Sequence, residues 1–182
     1  MINYLNTFPF RSIIWSVSII LLFHELSEWN IKGWHKKHFT NIPDESNLSL
    51  RLWMLFFSFI GFLWTGISCS IPNQTISCIW LLVLIYVTLL NGIQHFILLI
   101  SYKEISNPGS FFALWFGIPV DIYVMYRMVI EDMIPLWGMM LFSLIIVLIT
   151  VKTIKNMRIG ELPKIINLCS SIGLKLEHLM TN

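Results

Sequence analysis

Charge is what this sequence has least of. Only 12% of its 182 residues are charged, 56% are hydrophobic, and the mean hydropathy is +0.73. A soluble domain carries about 25% charged residues, so a soluble fold is excluded and an integral membrane protein is expected. The small net charge of +2 does not point to nucleic acid, because the basic residues sit beside apolar stretches. Membrane lipids are the expected surroundings. Cysteine is also scarce. Cys69, Cys78 and Cys169 lack any metal-binding spacing. Cys69 and Cys78 flank one short connection and read either as free thiols or as a disulfide. No small-x-small site follows the first apolar run, so it does not read as a cleaved signal peptide. No polar–apolar alternation is present, which excludes a β-barrel. No internal repeat is visible either, which weighs against an inverted-repeat transporter.

What is present is a series of apolar segments on the scale of a bilayer. They cover about residues 10–29, 50–71, 76–101, 110–130 and 134–151, followed by a tail over 152–182. Turn residues separate them: Pro72-Asn73-Gln74, Asn107-Pro108-Gly109 and Met133-Ile134-Pro135. The expected fold is all-α, a polytopic transmembrane helix bundle of about five spans forming a single membrane domain over 1–182. Asn30 to Ser49 reads as the one long loop, with Asp44-Glu45-Ser46-Asn47 starting the second span. In that loop His35-Lys36-Lys37-His38, flanked by Trp34 and Phe39, suits an inner-leaflet anchor. Trp15, Trp53, Trp80 and Trp137 fit interfacial belts, and Gly61, Gly66, Gly92 and Gly117 fit close helix contacts. Leu162, Ile165, Ile166, Leu168, Ile172, Leu174, Leu176 and Leu179 give the tail an amphipathic pattern. It suits a helix lying on the inner leaflet, or one packed back on the bundle.

Ten of the 12 Lys and Arg residues fall in the first loop, the third loop and the tail. The positive-inside rule then places the N-terminus outside and the C-terminus in the cytoplasm of a multi-pass cell-membrane protein. Frequent Ile, Asn and Lys point to an AT-rich bacterial source.

Ionisable residues inside such spans are expensive, roughly 2.5–3.5 kcal/mol each at the bilayer centre, and are retained with partners or for function. Phe23-His24-Glu25-Leu26-Ser27-Glu28-Trp29 puts His24 and Glu28 on one helix face and Glu25 on a neighbouring one. In the third span Asn91 and His95 share a face. His24 and His95 each lie about seven residues from the inner end of parallel spans, or roughly 10 Å deep, so the two sets are expected to converge. Such a group either locks helix packing or forms a metal, proton-relay or catalytic site. Asp121, near mid-depth and two residues after Pro119, needs a partner: His24 or His95 on one reading, Arg127 or a hydroxyl on the other.

These motifs resemble the HXXEE family of small integral membrane proteins. Its His-x-x-Glu-Glu pattern falls on His24 to Glu28, with Ser27 in place of the first Glu and Glu25 as an additional carboxylate. Its Asn-x-x-x-His pattern, Pro-Gly turn and later Pro match Asn91 to His95, Pro108-Gly109 and Pro119. The resemblance implies an architecture and a residue set, not a reaction.

Two histidines, one or two carboxylates and an asparagine suit a divalent metal such as Zn or Fe, with His24, Glu28 and His95 as ligands. A metal-free site passing a proton between Glu28 and His24 is the other form. The expected function is a small membrane enzyme acting on a lipid-like substrate, with His24, Glu28, His95, Asn91 and Asp121 as its working residues. The alternatives are a carrier or accessory subunit that binds a proton or ion with the same groups, and a structural helper.

Overall fold

The computed structural model describes residues 7–42, 46–104, 108–156, 161 and 164–181. Every regular element among them is helical, as the apolar runs require. Helix α1 spans Phe10–Ser27, with a break at Ile14. Helix α2 is Lys32–His38, α3 is Asn47–Ser70 and α4 is Gln74–Tyr102. Helix α5 spans Ser110–Ile130, α6 is Leu136–Asn156 and α7 is Lys164–Thr181. Helices α1, α3, α4 and α5 are long and apolar enough to cross a membrane, whereas the apolar part of α6, Leu136–Lys152, is shorter. Outward faces of the long helices are largely apolar: Phe59, Trp115, Trp137 and Leu148 are all exposed. Such faces suit lipid and would be a liability in water.

Local chemistry sets the boundaries. The Ser46 hydroxyl caps α3 by accepting from the Ser49 N–H at 2.9 Å, and Asn73 caps α4 by accepting from Ile76 at 3.0 Å. Of the expected start of α3, Asp44 and Glu45 lie outside the described residues, as does Asn107 of the Pro-Gly turn. Lys103 closes α4 in the left-handed region at φ 54°. Helix α5 contains a π-helical turn over Ala113–Gly117, immediately before Pro119. Pro119 has no N–H to offer the carbonyl of Trp115, and a widened turn absorbs that missing bond.

The main core gathers Ile14 and Val17 of α1, Leu81, Leu82 and Ile85 of α4, and Val124 and Met128 of α5. Helices approach closely at glycine: a Cβ on Gly61 would lie 2.7 Å from Leu21, and one on Gly92 2.8 Å from Ile118. Ser18 adds a polar clasp between α1 and α3, donating to the Gly61 carbonyl at 2.9 Å or to Thr65 at 2.7 Å. Helix α6 leans on α4 through stacked Tyr86 and Phe142 rings. The three cysteines are free thiols, so Cys69 and Cys78 do not form a bridge.

Two expectations change here, and one open alternative closes. The long loop contains α2, one side of which buries His35. Trp53 is not a belt residue, because α7 covers it together with Cys169. The tail helix packs back onto α3, tied by the Ser46 hydroxyl donating to Glu177 at 2.6 Å. Its apolar face is matched by Leu50, Trp53 and Met54 of the bundle.

Candidate metal centre

The end of α1 delivers His24 and Glu25, and the following residue, Glu28, leaves the helix with φ −92° and ψ 5°. His24, Glu25 and Glu28 are all buried. Ser27 is exposed, and its hydroxyl folds back to donate to the His24 carbonyl at 2.7 Å. The position where the family motif has its first glutamate therefore points away from the cluster. The neighbouring carboxylate inside the bundle is Glu25.

Helix α4 brings Asn91 and His95 to the same place. The His24 and His95 rings meet edge-on with centroids 4.8 Å apart. Glu28 Oε1 lies 3.2 Å from His95 Nε2. One ligand atom from each of His24, Glu28 and His95 falls within 4.8 Å of the others, and all three residues are buried. The convergence expected from equal depth on two helices is present.

A third segment closes the cluster. His24 Nδ1 is 3.1 Å from the carbonyl oxygen of Gly109, and His24 Nε2 is 2.6 Å from Asn91 Nδ2. One proton assignment satisfies both contacts: Nδ1–H donates to the Gly109 carbonyl, and the Nε2 lone pair accepts from the Asn91 amide. Gly109 sits at φ +78°, where a side chain is strained, and a Cβ there would lie 2.7 Å from His24 Cε1 and 2.9 Å from Glu28 Cδ. The Pro108-Gly109 turn thus forms the roof of the site. A histidine that donates one ring N–H to a backbone carbonyl is held as metal-ligating histidines commonly are.

Two buried atoms, Glu25 Oε2 and His95 Nδ1, have no hydrogen-bond partner among the described residues. Buried orphans of this kind ask for a water or an ion. His35 of α2 acts electrostatically on Glu28, and Glu25 acts on Cys169 of α7. Burial first, and then the Glu25 carboxylate, push the Cys169 thiol up to about 12. It therefore stays protonated at neutral pH and is a poor metal ligand.

Asp121 does not join the histidines. Its Oδ2 lies 2.7 Å from the Thr88 hydroxyl oxygen, within hydrogen-bond distance. Arg127 is engaged with Glu131 and donates to Tyr123 at 3.1 Å. Of the partners considered from sequence, the hydroxyl is the one present. A cavity of about 20 Å³ nevertheless lies between Asp121 and His24, lined by Thr88 and Asn91 as well. Sequence reasoning missed Thr88, the Gly109 carbonyl and His35. Thr88 was within reach, since Thr88, Asn91 and His95 follow helical spacing on one face of α4. Gly109 was marked only as the Pro-Gly turn of the family pattern, with nothing to say that its carbonyl meets His24.

The His35-Lys36-Lys37-His38 segment is tied down from the other side. Glu104 accepts from Trp34 Nε1 at 3.2 Å, contacts His38 Nε2 at 2.9 Å and pairs with Lys37.

A family model described as a protein of unknown function with HXXEE motif matches residues 15–124. No curated protein and no solved structure matches the chain. The matched region contains His24, Glu28, Asn91, His95, Gly109 and Asp121, and stops before α6 and α7.

Proposed function

The chain belongs to the HXXEE family, and on that footing we propose that it is a multi-pass membrane protein that holds a divalent metal at His24, Glu28 and His95. In this reading it acts on a lipid-like substrate from the inner half of the bilayer. The five apolar helices cross the membrane as one domain, with the N-terminus outside and the C-terminus cytoplasmic.

The observation that carries the proposal is the meeting of three buried ligand atoms within 4.8 Å. Charge balance supports it. Glu25 and Glu28 are both buried, and the groups that act on Glu28 are the imidazoles of His95, His24 and His35. Two neighbouring buried carboxylates are costly in an apolar bundle, and a divalent ion held with the imidazoles offsets that cost. Two imidazoles with a carboxylate favour Zn or Fe and leave coordination positions open.

The chemistry a bound metal supplies there is Lewis-acid activation of an oxygen ligand. The remaining roles belong to the protein. Gly109 fixes the His24 ring so that Nε2 faces the site. Asn91 holds that nitrogen until a ligand replaces it, and can then turn its amide to a substrate oxygen. Glu25 adds a second buried carboxylate beside Glu28. The lipid-like substrate class is favoured by the aromatic wall next to the roof. Phe23 stacks on Phe112 at 5.7 Å, and Phe23, Phe111 and Phe116 are exposed.

Melting curves of purified protein with and without added Zn or Fe test the reading, alongside metal analysis. The wild type should be stabilised by metal, because a ligand bound to the folded state raises its melting point. Glu28→Gln and His95→Gln should fold, be at least as heat-stable as metal-free wild type, and show no metal response. Equal responses in all three proteins would remove the metal. Destabilised variants with no metal response anywhere would return the cluster to a packing lock.

A further inference from the structure

Asp121 is a buried carboxyl that the metal cluster does not use. It sits within α5 at 1% exposure, and Thr88 is its hydrogen-bond partner. No charged side chain faces it from α1, α4 or α5 among the described residues, and His24 is the only other titratable group lining the adjoining cavity. An unpaired carboxylate in such surroundings is strongly disfavoured.

The hydrogen bonds fit a proton on the carboxyl. Thr88 has one hydroxyl proton and three acceptors in reach, Asp121 Oδ2 at 2.7 Å and the carbonyls of Ile85 at 2.9 Å and Leu84 at 3.3 Å. A protonated Asp121 donates to the Thr88 oxygen while Thr88 donates to Ile85, and both contacts are then satisfied. The cavity beyond, about 20 Å³ in volume, has room for one water and the polar partners to hold it.

We infer that Asp121 is a second functional group, a proton-carrying carboxyl linked to the His24–Glu28–His95 site by one water held among Asp121, Thr88 and the Asn91 amide that bonds His24. When a proton moves, the Asp121 O–H bond breaks and an O–H bond forms on the water. The water passes one of its own protons to a basic atom at the site. Asp121 is left as the carboxylate and is refilled by a solvent proton along the same route. The destination of the proton rests on the function proposed above; the protonated carboxyl and its water do not.

Infrared spectroscopy of the full chain without added metal tests this. The wild type should show a carboxylic-acid carbonyl band at neutral pH that is absent in Asp121→Asn and shifted to higher frequency in Thr88→Val. On transfer to D₂O the wild-type band should move as its proton exchanges, and Asn91→Leu, which fills the cavity, should slow that exchange severalfold. Absence of an Asp121-dependent acid band would overturn the inference, and so would equal exchange in wild type and Asn91→Leu. Asp121→Asn should keep the zinc-dependent rise in melting temperature. Loss of zinc binding in the wild type would count against the metal alone.

Discussion

Replacing Gly109 with alanine is the sharpest test of the roof over the site. Two costs add. Gly109 has φ +78°, a left-handed conformation that costs an L-residue roughly 1–2 kcal/mol. The new methyl would also lie 2.7 Å from His24 Cε1 and 2.9 Å from Glu28 Cδ. Overpacking of this kind costs about 1–3 kcal/mol. Gly109→Ala should therefore lose about 2–5 kcal/mol, a fall of roughly 4–20 °C in melting temperature for a chain of this size. Displacing the carbonyl that orients His24 should also remove the zinc response. Gly33→Ala is the control: a Cβ there meets nothing within 4 Å, and alanine in a helix should be neutral or stabilising by up to about 1 kcal/mol. Melting curves in detergent, with and without zinc, read both effects. A Gly109→Ala protein that melts with the wild type and still responds to zinc would refute the placement of this turn.

Alkaline phosphatase fused after Asn182 should be inactive and a fluorescent protein there should glow; an active phosphatase would reverse the orientation. Glu104 has its carboxyl held below the ordinary range, chiefly by the hydrogen bond from Lys37 and further by His38. A lowered folded-state value means its stabilising contribution is present at neutral pH and is lost as pH falls through that value. The gap in melting temperature between wild type and Glu104→Gln should therefore narrow in acid, and a gap independent of pH would argue against the latch. Gly173→Val should loosen α7, because even a Cβ at Gly173 would run into the Ser49 backbone and lie 3.1 Å from Trp53. Faster proteolysis of the tail is the expected result, and unchanged protection would place α7 elsewhere.

The long apolar helices were legible because a bilayer-length apolar run has few other uses. His24, Glu28, Asn91 and His95 were legible because two helical spacings and one depth estimate bring them together. The rest depended on tertiary contacts that leave no local mark. Gly109 reads as an ordinary turn residue, and its carbonyl meets a histidine 85 positions away. Lys32–His38 is short and basic with a glycine inside, so its helix is stabilised by contacts made around Trp34 and His35 rather than by propensity. The tail pattern fitted a lipid surface and a protein surface equally, and only the matching face on α3 distinguishes them. Asp121 needed a partner, but Thr88 resembles any β-branched residue of an apolar helix until its place on the Asn91–His95 stripe is noticed.

The widened turn over Ala113–Gly117 has a consequence for comparing chains of this kind. One extra residue in a helix rotates everything after it by roughly 100°. Were one residue deleted from that turn, Asp121 would keep its neighbours in sequence and swing away from Thr88. A relative with a one-residue gap there could align an aspartate with Asp121 and still turn it toward lipid. Chain length within these five residues, as much as the identity of residue 121, decides whether α5 presents an acid to the interior.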